Sequence, residues 1–196
     1  GSPGAIRPAR YAAGRFRHTS TGTRAPLEGE SRELRAAQLA RLGPRTGDLV
    51  CDKKIRHRSI STAEAARFGA AVLAIDADPD ACARTTASAR RFGVRVQVVH
   101  GSAPHILEDL PEPDVVRVGG GGEPVLSAVA DRRPAAIVTH AGTRDEAELL
   151  GRTLAEHGYA VECVLLQSVA LDVGEWAETE RTVVFLLSAH RPDRAP

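Results

Sequence analysis

Methionine is absent from this 196-residue chain, aromatic residues make up only 4% of it, and lysine occurs just twice, at Lys53 and Lys54. Arginine otherwise supplies the positive charge, so an adjacent pair of lysines stands out as more than compositional drift. Cysteine is scarce too. Cys51, Cys82 and Cys163 lie far apart with no zinc or redox spacing, and the expectation is three buried, reduced thiols in a cytoplasmic protein. No apolar run approaches the roughly 18 residues that a bilayer span requires, and no signal-peptide pattern is present. A net charge of +1 supplies no global field for nucleic acid or a membrane surface. No Walker motif, metal-ligand spacing or Ser-His-Asp order is found.

What is present is the composition of an ordinary globular protein, 42% hydrophobic and 26% charged, and long enough for one sizeable core. Residues 1–27 carry five arginines and no acid among Gly, Pro, Ser and Thr, which predicts a flexible basic arm. An α/β domain is expected over 28–190 and a short tail over 191–196. The apolar positions Leu34, Ala37, Leu39 and Leu42 predict a helix from Glu30 to Leu42, with Ser31 as its N-cap and Gly43-Pro44 as its stop. Five strand-and-helix units follow. Their strands are Leu49–Cys51, Ala71–Ile75, Val94–Val99, Asp114–Val118 and Ala135–Thr139. Helices are expected over Ala63–Phe68, from Pro79 to Phe92, over Pro124–Ala130 and over Asp145–His157, with a short one opening near Pro104. Two strands without a helix between them, Ala160–Val169 and Thr182–Ser188, close the chain. Alternating units predict a mostly parallel sheet with helices on both faces, and the terminal pair predicts an antiparallel addition at one edge.

Ligands of such sheets bind beyond the carboxyl ends of the strands, and candidate residues cluster there. Asp76 ends the second strand, where an acid typically accepts hydrogen bonds from a ribose diol. Gly101-Ser102-Ala103 ends the third with small side chains that leave room for a flat ring. Gly119–Gly122 ends the fourth, and four glycines in a row are too costly in backbone entropy for an ordinary turn. His140 ends the fifth and is the general acid/base candidate; His100 holds a similar place on the third strand. Trp176, among Asp172, Glu175, Glu178 and Glu180, reads either as a rim aromatic or as an exposed connector. The first strand ends at Asp52 and its loop has no glycine. It reads Lys53-Lys-Ile-Arg-His-Arg58, and Lys54, Arg56 and Arg58 suit an anion site.

Several segments resemble class I S-adenosylmethionine-dependent methyltransferases. In particular they are similar to the cobalamin-pathway enzymes that decarboxylate and methylate a precorrin at C15, found alone or as the C-terminal half of precorrin-6Y methyltransferase. The matching stretches are Leu42–Val50, Ala74–Pro79, Ala89–Gly93, Val99–Pro104, Leu110–Asp114 with Gly119–Gly122, and Gly158–Glu162. The resemblance implies a three-layer sandwich around a seven-stranded sheet with the last strand antiparallel, and S-adenosyl-L-methionine as cofactor. It implies cofactor contacts at Asp52, Asp76, Gly101, Ser102, Ala103, Gly119 and Gly120, and an anionic tetrapyrrole as the small-molecule substrate. The family's Asp-x-Gly-x-Gly-x-Gly places its glycines at positions that are Lys54, Arg56 and Arg58 here. Arg117 stands in a strand that the family keeps apolar, Glu30-Ser31 replaces a Thr-Lys, and Arg181-Thr182 replaces an Asn-Pro. Three readings stay open at this stage: a precorrin methyltransferase, a divergent relative that has exchanged the cofactor for another anionic ligand, and a non-catalytic binding module. A homo-oligomer is compatible with each, and neither nucleic acid nor a membrane is expected as a partner.

Overall fold

The computed structural model describes residues 31–53, 69–102 and 105–193. The basic arm over 1–27, the helix expected at Ala63–Phe68, the cationic positions Lys54, Arg56 and Arg58, and Ala103 all lie outside the described residues.

Helix α1 spans Arg32–Leu42; Ser31 caps it by accepting a hydrogen bond at Oγ from the Leu34 N–H at 3.1 Å, and Gly43 ends it with φ of 54°. Strand β1 is Leu49–Lys53 and β2 is Ala71–Asp76. Helix α2, Pro79–Phe92, begins with Asp78 as cap and proline in its first turn, and stops at left-handed Gly93. Strand β3 is Val96–His100, a 3-10 turn covers His105–Asp109, and β4 is Val115–Val118. Helix α3 is Gly122–Asp131, β5 is Ala136–Ala141 and α4 is Arg144–Glu156, capped by Thr143. The long strands β6, Ala160–Leu171, and β7, Glu178–His190, complete the domain.

The seven strands form one sheet in the order β3-β2-β1-β4-β5-β7-β6. Strands β1 to β5 pair in parallel, whereas β7 lies between β5 and β6 and is antiparallel to both. This is the Rossmann-like architecture expected from the alternating pattern. Asp114 pins the amino-terminal edge: its Oδ2 accepts from the Leu49 N–H at 2.7 Å and its carbonyl accepts from the Ala135 N–H at 2.7 Å. Each sheet face builds its own core. On one, Leu73, Ile75, Val116, Val118 and Ile137 meet Val125, Leu126, Leu150 and Leu154 of α3 and α4. On the other, Val50, Val72, Val115, Val138 and Leu186 meet Leu34 and Leu42 of α1. Tyr159 joins the first core and donates its hydroxyl to the Pro134 carbonyl at 2.7 Å; burial pushes its pKa up to about 12.

Two expectations need correction. Cys51 and Cys82 are buried, but Cys163 is exposed, on the edge strand β6. The buried stripe of α1 is Leu34, Gln38 and Leu42, so a polar residue occupies the middle of a face expected to be apolar.

Candidate functional site

Five strand ends converge at the carboxyl edge, and they bring most of the expected residues together. Asp76 pairs in register with His100, and its carbonyl accepts from the Gly101 N–H at 2.9 Å. The Asp76 carboxylate is buried. Oδ1 accepts from the Asp78 N–H at 2.8 Å, and among the described residues Oδ2 has no hydrogen-bond partner. A buried carboxylate oxygen left in this way costs the desolvation of a charged acceptor. It is the kind of atom that a ligand donor, such as a ribose hydroxyl, would satisfy. His100 turns aside, with Nε2 3.0 Å from the Ala77 carbonyl.

The small residues after β3 have a packing explanation. A Cβ on Gly101 would fall 2.7 Å from Ile106 Cγ1 and 2.9 Å from its Cδ1, so glycine is required there by the 3-10 turn. The Ser102 carbonyl holds the same turn, accepting from the Ile106 N–H. Beyond β4 the glycine run has a conformational origin: Gly120, Gly121 and Gly122 have φ of 154°, 101° and 68°, a left-handed sequence that side chains resist. It turns the chain from the end of β4 straight into α3. The Val118 carbonyl at this corner accepts from Thr139 Oγ1 at 2.9 Å.

Asp52 and His140 are connected through residues that no local sequence pattern links. Asp52 and Arg117 are direct register partners on β1 and β4, both buried, and Arg117 Nη1 donates to Asp52 Oδ1 at 2.7 Å. Arg117 Nε donates to Gln38 Oε1 at 2.6 Å, and Gln38 Nε2 lies 3.1 Å from His140 Nδ1. Four residues from β1, β4, α1 and β5 thus form one polar chain on the α1 side of the sheet, directly above the apolar cluster of Val50, Val115 and Val138. Gln38 and Arg117 were missed as site residues. The signals for them were a glutamine four residues from both Leu34 and Leu42 on a helix, and a charge inside an apolar strand.

Past the carboxyl edge, the β6–β7 hairpin overhangs the sheet. Only Phe185–His190 of β7 pair with β5, so Glu178–Val184 project beyond Ala141 on the His140 side. Trp176, 68% exposed and with φ of 55°, belongs to the turn of this hairpin. A cavity of about 740 Å³ lined by Ala70, Val72, Thr86, Arg90 and Arg95 opens at the amino-terminal side of β2 and β3, away from this edge. Among the described residues no group of three or more metal-ligating side chains occurs, and no helix is long and apolar enough to cross a membrane.

Comparison with known proteins decides the family, because residues 29–184 match the model of the precorrin methyltransferase domain. The chain belongs to that family. A "Probable cobalt-precorrin-6B C(15)-methyltransferase (decarboxylating)" from Pyrobaculum calidifontis is 36% identical over 114 residues, covering 54% of this chain and 58% of the relative. A "Precorrin-6Y C(5,15)-methyltransferase [decarboxylating]" from Sinorhizobium is 36% identical over 126 residues, covering 61% of this chain and 30% of the relative. The chain therefore spans less than two thirds of either curated relative. The solved precorrin-6Y C5,15-methyltransferase of Geobacter metallireducens superposes with a TM-score of 0.75 at 25% identity, covering 86% of this chain and 93% of that one. The family is one of S-adenosylmethionine-dependent methyltransferases. In the precorrin methyltransferase domain described here, the nucleoside side of the site fits such a cofactor, since Asp76 has an unpartnered acceptor. Asp52 differs: it is 2% exposed, with Oδ1 engaged by a guanidinium.

Proposed function

We propose that the chain is an S-adenosylmethionine-dependent precorrin methyltransferase that decarboxylates and methylates its tetrapyrrole substrate at C15 in cobalamin biosynthesis. The observation that carries the reading is the unpartnered, buried Asp76 Oδ2 at the end of β2, in a domain of this family. Asp76 would accept from the ribose hydroxyls of the cofactor, with Gly101, Ser102 and Ala103 beside the nucleoside. Gly119 and Gly120 would let the backbone approach it. When bound, the cofactor supplies the transferable methyl group. His140, at the end of β5, would hold or move a proton next to the substrate. Lys54, Arg56 and Arg58, following β1 in sequence, are assigned to the carboxylates of the tetrapyrrole, since arginine pairs with a carboxylate through two parallel hydrogen bonds.

Calorimetric titration of S-adenosylhomocysteine into wild type and Asp76→Ala tests this. Micromolar binding is expected in wild type. The variant is expected to bind more weakly by about 1.5–3 kcal/mol, the range for hydrogen bonds to a charged group. Equal affinity in the two proteins would place the nucleoside elsewhere. No binding in wild type would favour the divergent reading, which the Asp52–Arg117 pair supports: a carboxylate already matched by a guanidinium has no charge to offer the ammonium of the cofactor.

A further inference from the structure

The order of groups in the polar chain fixes more than packing. Arginine has only donors, so Gln38 must present its carbonyl oxygen to Arg117, as the 2.6 Å contact from Nε to Oε1 shows. That leaves the amide nitrogen facing His140, and an amide nitrogen also only donates. His140 Nδ1, 3.1 Å away, must therefore accept, and the proton of the neutral ring sits on Nε2. We infer that Asp52, Arg117 and Gln38 form a positioning relay that holds His140 in its Nε2–H tautomer. Asp52 compensates and orients the buried guanidinium. The guanidinium decides which end of the amide points at it, and the amide decides which ring nitrogen carries the proton. Without the guanidinium the two ends of Gln38 are nearly equal in shape, and a half-turn of the amide would admit Nδ1–H.

The consequence for the site is a change of role. In its neutral form His140 presents its surroundings with a donor at Nε2, whereas a general base needs an acceptor there. A donor suits the carboxylate-bearing substrate proposed above, and that step alone rests on the proposed function. The tautomer does not.

The experiment reads ring nitrogens directly. Uniformly 15N-labelled full chain is examined by long-range 1H–15N correlation at about pH 9, above the ordinary imidazole range, with His140→Asn used to assign the signal among seven histidines. Wild type is expected to show an unprotonated-type shift at Nδ1 and a protonated-type shift at Nε2. Gln38→Glu replaces the donor with a carboxylate that only accepts, so Nδ1 is expected to gain the proton. The double variant Asp52→Leu/Arg117→Met removes both buried charges together and avoids stranding one; its His140 shifts are expected to move toward averaged values as the amide turns over. Protonated Nδ1 in wild type overturns the inference, and so does an unchanged Nδ1 in Gln38→Glu. A wild-type pattern retained in the double variant removes Arg117 from the relay and overturns it as stated. None of these signals depends on methyl transfer, so loss of the proposed function and loss of the relay are separable results.

Discussion

A buried arginine next to a buried aspartate is held by a balance of large terms. Desolvating each ion costs several kcal/mol, and their attraction recovers it only when geometry and additional hydrogen bonds are good. Both conditions are met at Asp52 and Arg117, since Nη1 reaches the carboxylate and Nε reaches Gln38. Removing one partner leaves the other charge stranded, so Asp52→Leu or Arg117→Met alone is expected to lose about 3–5 kcal/mol of stability. The double variant, with two apolar side chains of similar bulk, is expected to fall much closer to wild type. Urea unfolding of the four proteins measures this, and a double variant no better than either single would show that the pair is not the source of the loss. The sequence displays half of this arrangement. Arg117 is legible as a charge between valines, but its partner is set by the register of β1 against β4, two strands 65 residues apart. No local pattern encodes that register.

Elements carried more legible information, because capping and periodicity are local. Ser31, Asp78 and Thr143 each cap the helix that follows, and the left-handed glycines at 43 and 93 end helices as composition suggests. The glycines of the two cleft turns are a different matter, since two causes produce the same residue. After β4 the cause is backbone conformation, visible as successive positive φ angles at Gly120, Gly121 and Gly122. After β3 it is the side chain of Ile106, which a reading for ligand space could not see. Gly101→Ala is therefore expected to destabilise the fold by about 1–3 kcal/mol, the usual range for overpacking. Adding Ile106→Ala should make the alanine at 101 harmless, so that its cost on that background falls near zero. Thermal unfolding of the two singles and the pair gives the coupling. An additive pair would assign the glycine to something other than this contact.

At the level of the whole molecule, alternation along the chain specified the parallel half of the sheet, and the strand pair without a helix specified its antiparallel edge. The sequence did not reveal how far β6 and β7 outrun their neighbours. They have 12 and 13 residues, against four to six in the parallel strands. Near its base the hairpin face is covered by α4, where Gly151 approaches Leu187 Cδ2. Farther along, Leu165, Val169 and Val183 share that face with 57%, 39% and 47% exposure. Strand β6 is also the sheet's last strand, with one row of backbone groups directed away from β7. An apolar strip beside such an edge is a ready template for a second strand, and proteins that leave both uncovered tend to associate. Self-association through this hairpin is the expected outcome, because a second copy brings a strip of the same length and polarity. Light scattering across a concentration series measures the mass of wild type, and Leu165→Asp/Val183→Asp places two like charges on the strip without touching either core. The variant is expected to run as the monomer with an unchanged circular dichroism spectrum. A wild type that is monomeric over the whole series would show that the strip serves another purpose.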